Sequence, residues 1–99
     1  MTAIFEDHAR LAALCARWRV TKLSLFGSRL KGLARPDSDI DLLVEFEPGG
    51  EPGLMALAQL EIELSELAGG GKVDLRTAQD LSRYFRDEVV STAEPQYAA

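Results

Sequence analysis

Two aspartates sit one residue apart at the start of an apolar run, Ser38-Asp39-Ile40-Asp41-Leu42-Leu43-Val44. A strand carries residues i and i+2 on one face. Asp39 and Asp41 therefore point one way, while Ile40, Leu42 and Val44 point the other way into a core. Two anions side by side on a strand face repel each other, and a cation between them relieves the repulsion. A divalent metal is the natural choice, and Mg²⁺ takes carboxylate and phosphate oxygens. Upstream, a shorter apolar run, Leu23-Ser24-Leu25-Phe26, closes on Gly27-Ser28.

Other readings of these residues fail on spacing. Gly27-Ser28-Arg29-Leu30-Lys31-Gly32 has the two glycines of a phosphate-binding P-loop, but Leu33-Ala34 stand where Lys-Ser/Thr must follow. No Gly-x-Gly-x-x-Gly supports a dinucleotide fold. Asp37-x-Asp39-x-Asp41 opens like a calcium loop, yet Leu42 replaces its glycine and Pro48 its bidentate glutamate. Neighbouring acids on one strand also suit a two-carboxylate glycosidase poorly, since its acids flank a sugar.

The elements that must position these residues follow from periodicity. Ile4, Phe5, His8, Leu11, Ala12, Leu14, Cys15 and Trp18 recur at helical spacing and predict a first helix over about residues 3–18. A strand over 22–26 and a short helix over 28–33 follow. A turn at 35–38 leads to a second strand over 39–46. A Gly/Pro loop at 47–53 precedes a helix over 54–68 with Leu57, Leu60, Leu64 and Leu67 in one stripe. Gly69-Gly70-Gly71 ends it. A third strand over 72–76, a last helix over 81–92 and a loose tail from 93 complete the chain. The order is αβαβαβα: an α/β (α+β) fold with a small three-stranded mixed sheet flanked by helices. If Gly27-Ser28 and Asp39-Asp41 share a site, the end of the first strand meets the start of the second, and the two are antiparallel.

The chain of 99 residues, 46% hydrophobic and 27% charged, is expected to be one globular domain, residues 1–99. No stretch has the ~18 apolar residues of a membrane span, and the acidic Glu6-Asp7 is unlike a signal peptide. Lone Cys15 allows no intrachain disulfide, and a cytoplasmic protein is expected. His8 has no second histidine to share a metal, and Trp18 and the leucine stripe read as core. The net charge of −5 is uneven: seven bases and two acids in residues 1–36, four bases and fourteen acids in 37–99. Such a balance speaks against long nucleic acid as a partner, which needs a broad basic surface.

Leu25-Phe26-Gly27-Ser28-Arg29, nine further residues, then Asp39-Ile40-Asp41-Leu42-Leu43-Val44 resembles the signature of the DNA polymerase β-like nucleotidyltransferase superfamily. The short chain and the form Gly-Ser-Arg-x-Lys-Gly-x-Ala-Arg-Pro-Asp-Ser-Asp-Ile-Asp are similar to its minimal branch, the minimal nucleotidyltransferases, which often pair with HEPN-domain proteins. The likeness is strong over residues 22–46 and continues more weakly through Val73-Asp74-Leu75 and the final helix.

The resemblance implies a nucleotidyltransferase fold and transfer of AMP from ATP to a hydroxyl. Gly27 and Ser28, with the backbone close to the phosphates, would bind nucleotide, and Arg29 is the side chain best suited to steady the triphosphate. Lys31 and Arg35 are weaker candidates. Asp39 and Asp41 would bridge two Mg²⁺ ions, and Asp74, in Lys-Val-Asp-Leu-Arg, matches the family's third carboxylate. Larger relatives carry added domains that hold the acceptor. Here a partner is expected to present it: in the minimal branch, a HEPN ribonuclease toxin adenylylated on tyrosine, with the transferase as its antitoxin. The alternatives are a non-catalytic antitoxin that occludes the toxin, and an enzyme that modifies a small molecule such as an antibiotic. Nucleobase preference and oligomeric state are not encoded in any recognisable pattern.

Overall fold

The structure is a computed structural model that describes residues 4–27, 39–84 and 86–99. Helix α1 (His8–Arg17) starts on Asp7, whose side chain accepts from the Arg10 N–H at 3.0 Å, satisfying one of the open donors of the first turn. It buries Leu11, Leu14 and Cys15. Arg19, in the left-handed region with φ 60°, turns the chain into strand β1 (Val20–Phe26). Strand β2 (Ile40–Phe46), helix α2 (Leu54–Leu67) and strand β3 (Val73–Arg76) follow. A 3₁₀ turn (Ala78–Asp80), helix α3 (Arg86–Thr92) and strand β4 (Glu94–Ala98) complete the order.

The strands form one mixed sheet in the order β3-β2-β1-β4. β1 runs antiparallel to β2, as a shared site requires, and β2 runs parallel to β3. The sheet has four strands where the sequence predicts three. The expected loose tail is β4, antiparallel to the outer edge of β1, with Leu23 opposite Tyr97. Glu-Pro-Gln-Tyr carries little strand preference of its own. Pairing with β1 and the packing of Tyr97 on the core decide the matter, and Pro95 is tolerable because the strand lies at an edge. The helix expected over 81–92 is confined to α3: a 3₁₀ turn capped between Thr77 and Asp80 comes first, and Leu81 leaves it in extended backbone, φ −84° and ψ 146°. The helix expected over 28–33 and the turn at 35–38 lie outside the described residues.

Both long helices supply one apolar layer. Leu11, Leu14 and Cys15 of α1 and Leu60 and Leu64 of α2 pack with Leu23, Leu25, Ile40, Leu42, Val44, Val73 and Leu75 of the sheet. Burial pushes the Cys15 thiol up to about 11, so it stays a protonated packing group. α2 ends in a Schellman motif: Gly70 N–H donates to Ser65 C=O at 2.8 Å and Gly69 N–H to Glu66 C=O at 3.3 Å. Gly69 and Gly70 have φ of 85° and 92°, where a side chain is strained. The reversal delivers the chain straight into β3. Arg17 and Arg19, from the basic first third, pair with Glu63 and Glu47 of the acidic remainder. Among the described residues no helix is long and apolar enough to cross a membrane.

Candidate active site

Strand alternation separates the layers. With Ile40, Leu42, Val73 and Leu75 turned into the core, Asp39, Asp41, Asp74 and Arg76 belong to the opposite face of the sheet. The register of the parallel pair sets Asp41 directly beside Asp74, each the second residue of its strand. Asp39 immediately precedes β2, with the Ile40 N–H bonded to Lys72 C=O at 2.8 Å. The antiparallel pair sets Phe26 opposite Asp41, so the end of β1 arrives at the same place.

Gly27 follows at once, and its lack of a side chain is a steric requirement. A Cβ there would lie 2.3 Å from Asp41 Oδ2 and 3.1 Å from its Cγ. Its φ of 81° is also one that side-chain-bearing residues rarely adopt. Gly27 thus lets the backbone pass against the Asp41 carboxylate. Ser28 and Arg29, expected to bind nucleotide with it, lie outside the described residues.

Three acids on one face create an electrostatic problem that shows at Asp41. Burial first, then the charges of Asp74 and Asp39, push its carboxyl above the ordinary value of 3.8, and Arg76 opposes them. Two cations, Lys72 just before β3 and Arg76 at its end, compensate the outer acids. Lys72 Nζ lies 3.8 Å from Asp39 Oδ2, and Arg76 Nη2 donates to Asp74 Oδ2 at 3.2 Å. The hydrogen bond that Arg76 donates to Asp74, reinforced by that carboxylate's charge, raises the Arg76 guanidinium above its already high range. Among the described residues no group of three or more His, Cys, Asp and Glu side chains is placed to hold a metal ion as they stand. The strands bring the acids to one face, and the flanking cations hold two of them. The donor set still suits a hard cation: all its atoms are carboxylate oxygens, and Asp41 is short of positive charge.

Three residues absent from the sequence-based site matter here. Lys72 and Arg76 flank Asp74 at i−2 and i+2, and Lys-x-Asp-x-Arg on a strand is the pattern from which both are legible. Glu61 of α2 accepts from the Leu75 N–H at 2.8 Å. β3 is an edge strand, so this bond ties the strand carrying Asp74 to the helix layer. It joins positions remote in sequence, and no local pattern announces it.

A small mixed sheet with acids at two strand starts, beside a glycine corner and covered by helices on one face, is the architecture of a nucleotidyl-transferring domain. The nucleotidyltransferase domain signature matches residues 11–94. A candidate protein adenylyltransferase of Methanocaldococcus jannaschii is 31% identical over 91% of this chain and 94% of its own length. The solved structure of a candidate minimal nucleotidyltransferase superposes with a TM-score of 0.71 at 38% identity, covering 89% of this chain and 87% of that one. The fold is also that of a complex between a tri-AMPylated Shewanella oneidensis HEPN toxin and its MNT antitoxin, with a TM-score of 0.62 at 20% identity over 93% and 70% of the two chains. The chain belongs to the nucleotidyltransferase domain family, in its minimal branch.

Proposed function

We propose that this nucleotidyltransferase is a Mg²⁺-dependent protein adenylyltransferase that moves AMP from ATP to a tyrosine hydroxyl of a HEPN-domain toxin, and so acts as the antitoxin. The observation that carries this reading is the meeting of Asp41 and Asp74, with Asp39 on the same face, against the side-chain-free Gly27. Kinship supports the choice of group and acceptor. The Methanocaldococcus relative bears a protein adenylyltransferase name, and the Shewanella complex holds an AMPylated HEPN toxin.

The chain's own residues divide the work. Gly27 leaves room for phosphate oxygens next to Asp41. Ser28 and Arg29 steady the triphosphate. Asp39, Asp41 and Asp74 would hold the metals, and Asp74 would accept the proton of the attacking hydroxyl. Two Mg²⁺ ions, when bound, neutralise the triphosphate and the leaving pyrophosphate and lower the pKa of the acceptor hydroxyl.

The test is incubation of the chain with ATP labelled at the α-phosphate, Mg²⁺ and the protein encoded beside it. Label is expected on a tyrosine of the neighbour, and none with the Asp39→Asn/Asp41→Asn variant. An unlabelled neighbour, or label that survives in the double variant, overturns the reading. Protection of cells by the double variant assigns neutralisation to occlusion, and turnover of a small hydroxyl compound by the chain alone assigns the site to that class.

A further inference from the structure

Asp74 and Arg76 share the site face of β3, and Lys72 immediately precedes the strand at the same alternation. The central acid stands beside Asp41, while Arg76 stands beside Leu43, one row further along the same face. Two like charges opposite each other destabilise a sheet, and a cation at the next row offsets this. Of the two flanking cations, Arg76 makes the true hydrogen bond, at 3.2 Å against 3.8 Å for Lys72.

That bond suits an interim role. The Arg76 side chain is 49% exposed and that of Asp74 33%, and exposed pairs of this kind are weak and easily displaced. Any metal that takes Asp74 competes with Arg76 for the same oxygen. The displaced guanidinium stays on the site face, on a short strand tied to α2 through Glu61 and Leu75. A planar five-donor fork left on the site face, one row beyond the carboxylates on the side away from Gly27, matches phosphate oxygens in pairs, which an ammonium cannot do.

Resting on the metal-dependent reading above, we infer that Arg76 is a phosphate-binding residue held in reserve: it is the counter-ion of Asp74 until metal takes that carboxylate, and its guanidinium then engages the triphosphate. A strand arginine that only decorated the surface would make neither of the two linked predictions.

Mn²⁺ serves as the probe, with free ion measured by electron paramagnetic resonance on the full chain without nucleotide or partner. Arg76→Ala is expected to bind Mn²⁺ about 1.5- to 5-fold more tightly than the parent, the range that loss of an exposed competing ion pair allows. At saturating Mn²⁺, the same variant is expected to bind ATP at least about ten-fold more weakly in equilibrium dialysis, the scale of a lost charge-assisted hydrogen bond. Arg76→Lys keeps the charge without the fork, so it should leave the Mn²⁺ affinity near that of the parent while still weakening ATP. Unchanged or weaker Mn²⁺ binding by a folded Arg76→Ala overturns the competition, and unchanged ATP binding overturns the transfer to phosphate. A parent chain that binds no Mn²⁺ removes the metal-dependent reading itself, and this inference with it. A parent that binds Mn²⁺ while the variants behave identically removes only the inference.

Discussion

Asp41 and Asp74 are register partners on adjacent parallel strands, so the fold itself forces two carboxylates together. The strain falls on Asp41, whose carboxyl is raised by burial, by Asp74 and by Asp39. A carboxyl raised in the folded state binds a proton more tightly there than in the unfolded chain. Its contribution is therefore most favourable below the ordinary carboxylate range and is lost as pH rises through the raised folded value.

Without metal, Asp41→Asn is accordingly expected to melt at a higher temperature than the parent at neutral pH. The gap should narrow as pH falls toward the ordinary value of 3.8. Thermal melts of both proteins in chelator across that range check it. Parallel curves at all pH values would show that Asp41 is not strained. The same variant is expected to lose AMP transfer, so stability and activity move in opposite directions, as site residues often make them do.

Gly27→Ala tests the close approach directly. The added Cβ meets Asp41 Oδ2 at 2.3 Å and stands at a φ of 81°. Overpacking costs about 1–3 kcal/mol, and the left-handed backbone adds roughly 1 kcal/mol. In Gly27→Ala/Asp41→Ala the carboxylate contacts are removed, while the 3.2 Å approach to the Cβ that alanine shares with Asp41 and the backbone part remain. Urea melts of the four proteins of this cycle should show that positive coupling. Additive losses would mean that the two residues do not touch.

The face that the two aspartates share was more legible in the sequence than the limits of the fold. Gly27, Asp39 and Asp41 lie within a short stretch, and the alternation of Asp39-Ile40-Asp41-Leu42 assigned both acids to one face because a core strand leaves no other choice. The antiparallel run of β1 and β2 followed from requiring Gly27 and Asp41 to meet. β4 was hidden because Glu94, Pro95 and Gln96 have poor strand preference and only the open edge of β1 recruits them. The bond from Leu75 to Glu61 was hidden for a related reason: it is a side-chain contact between a helix and the strand that follows it, and its partners are unremarkable locally.

Removing β4 should therefore matter. Deletion of residues 94–99 uncovers the edge of β1 and strips Tyr97 from the core. Burial of one large side chain alone is worth about 1.5–3 kcal/mol, so Tyr97→Ala is expected to lose about half of that range or more, and the deletion more again. A loose tail would leave the unfolding midpoint in urea unchanged in both.

Glu61→Ala should act on the site without touching it. The Leu75 N–H loses its acceptor at 2.8 Å on an edge strand, a loss of about 1–3 kcal/mol if the amide stays dry and less if water reaches it. Asp74 is the next residue, so a looser β3 places the third carboxylate less consistently beside Asp41. Glu61→Gln retains an acceptor oxygen and should restore most of the effect. Amide hydrogen exchange gives the decisive reading. Faster exchange confined to residues 73–76 in Glu61→Ala, together with a fall in AMP transfer that Glu61→Gln reverses, identifies the bond as the brace of the strand that carries Asp74. Unaltered exchange there would show that α2 does not hold β3 through this contact.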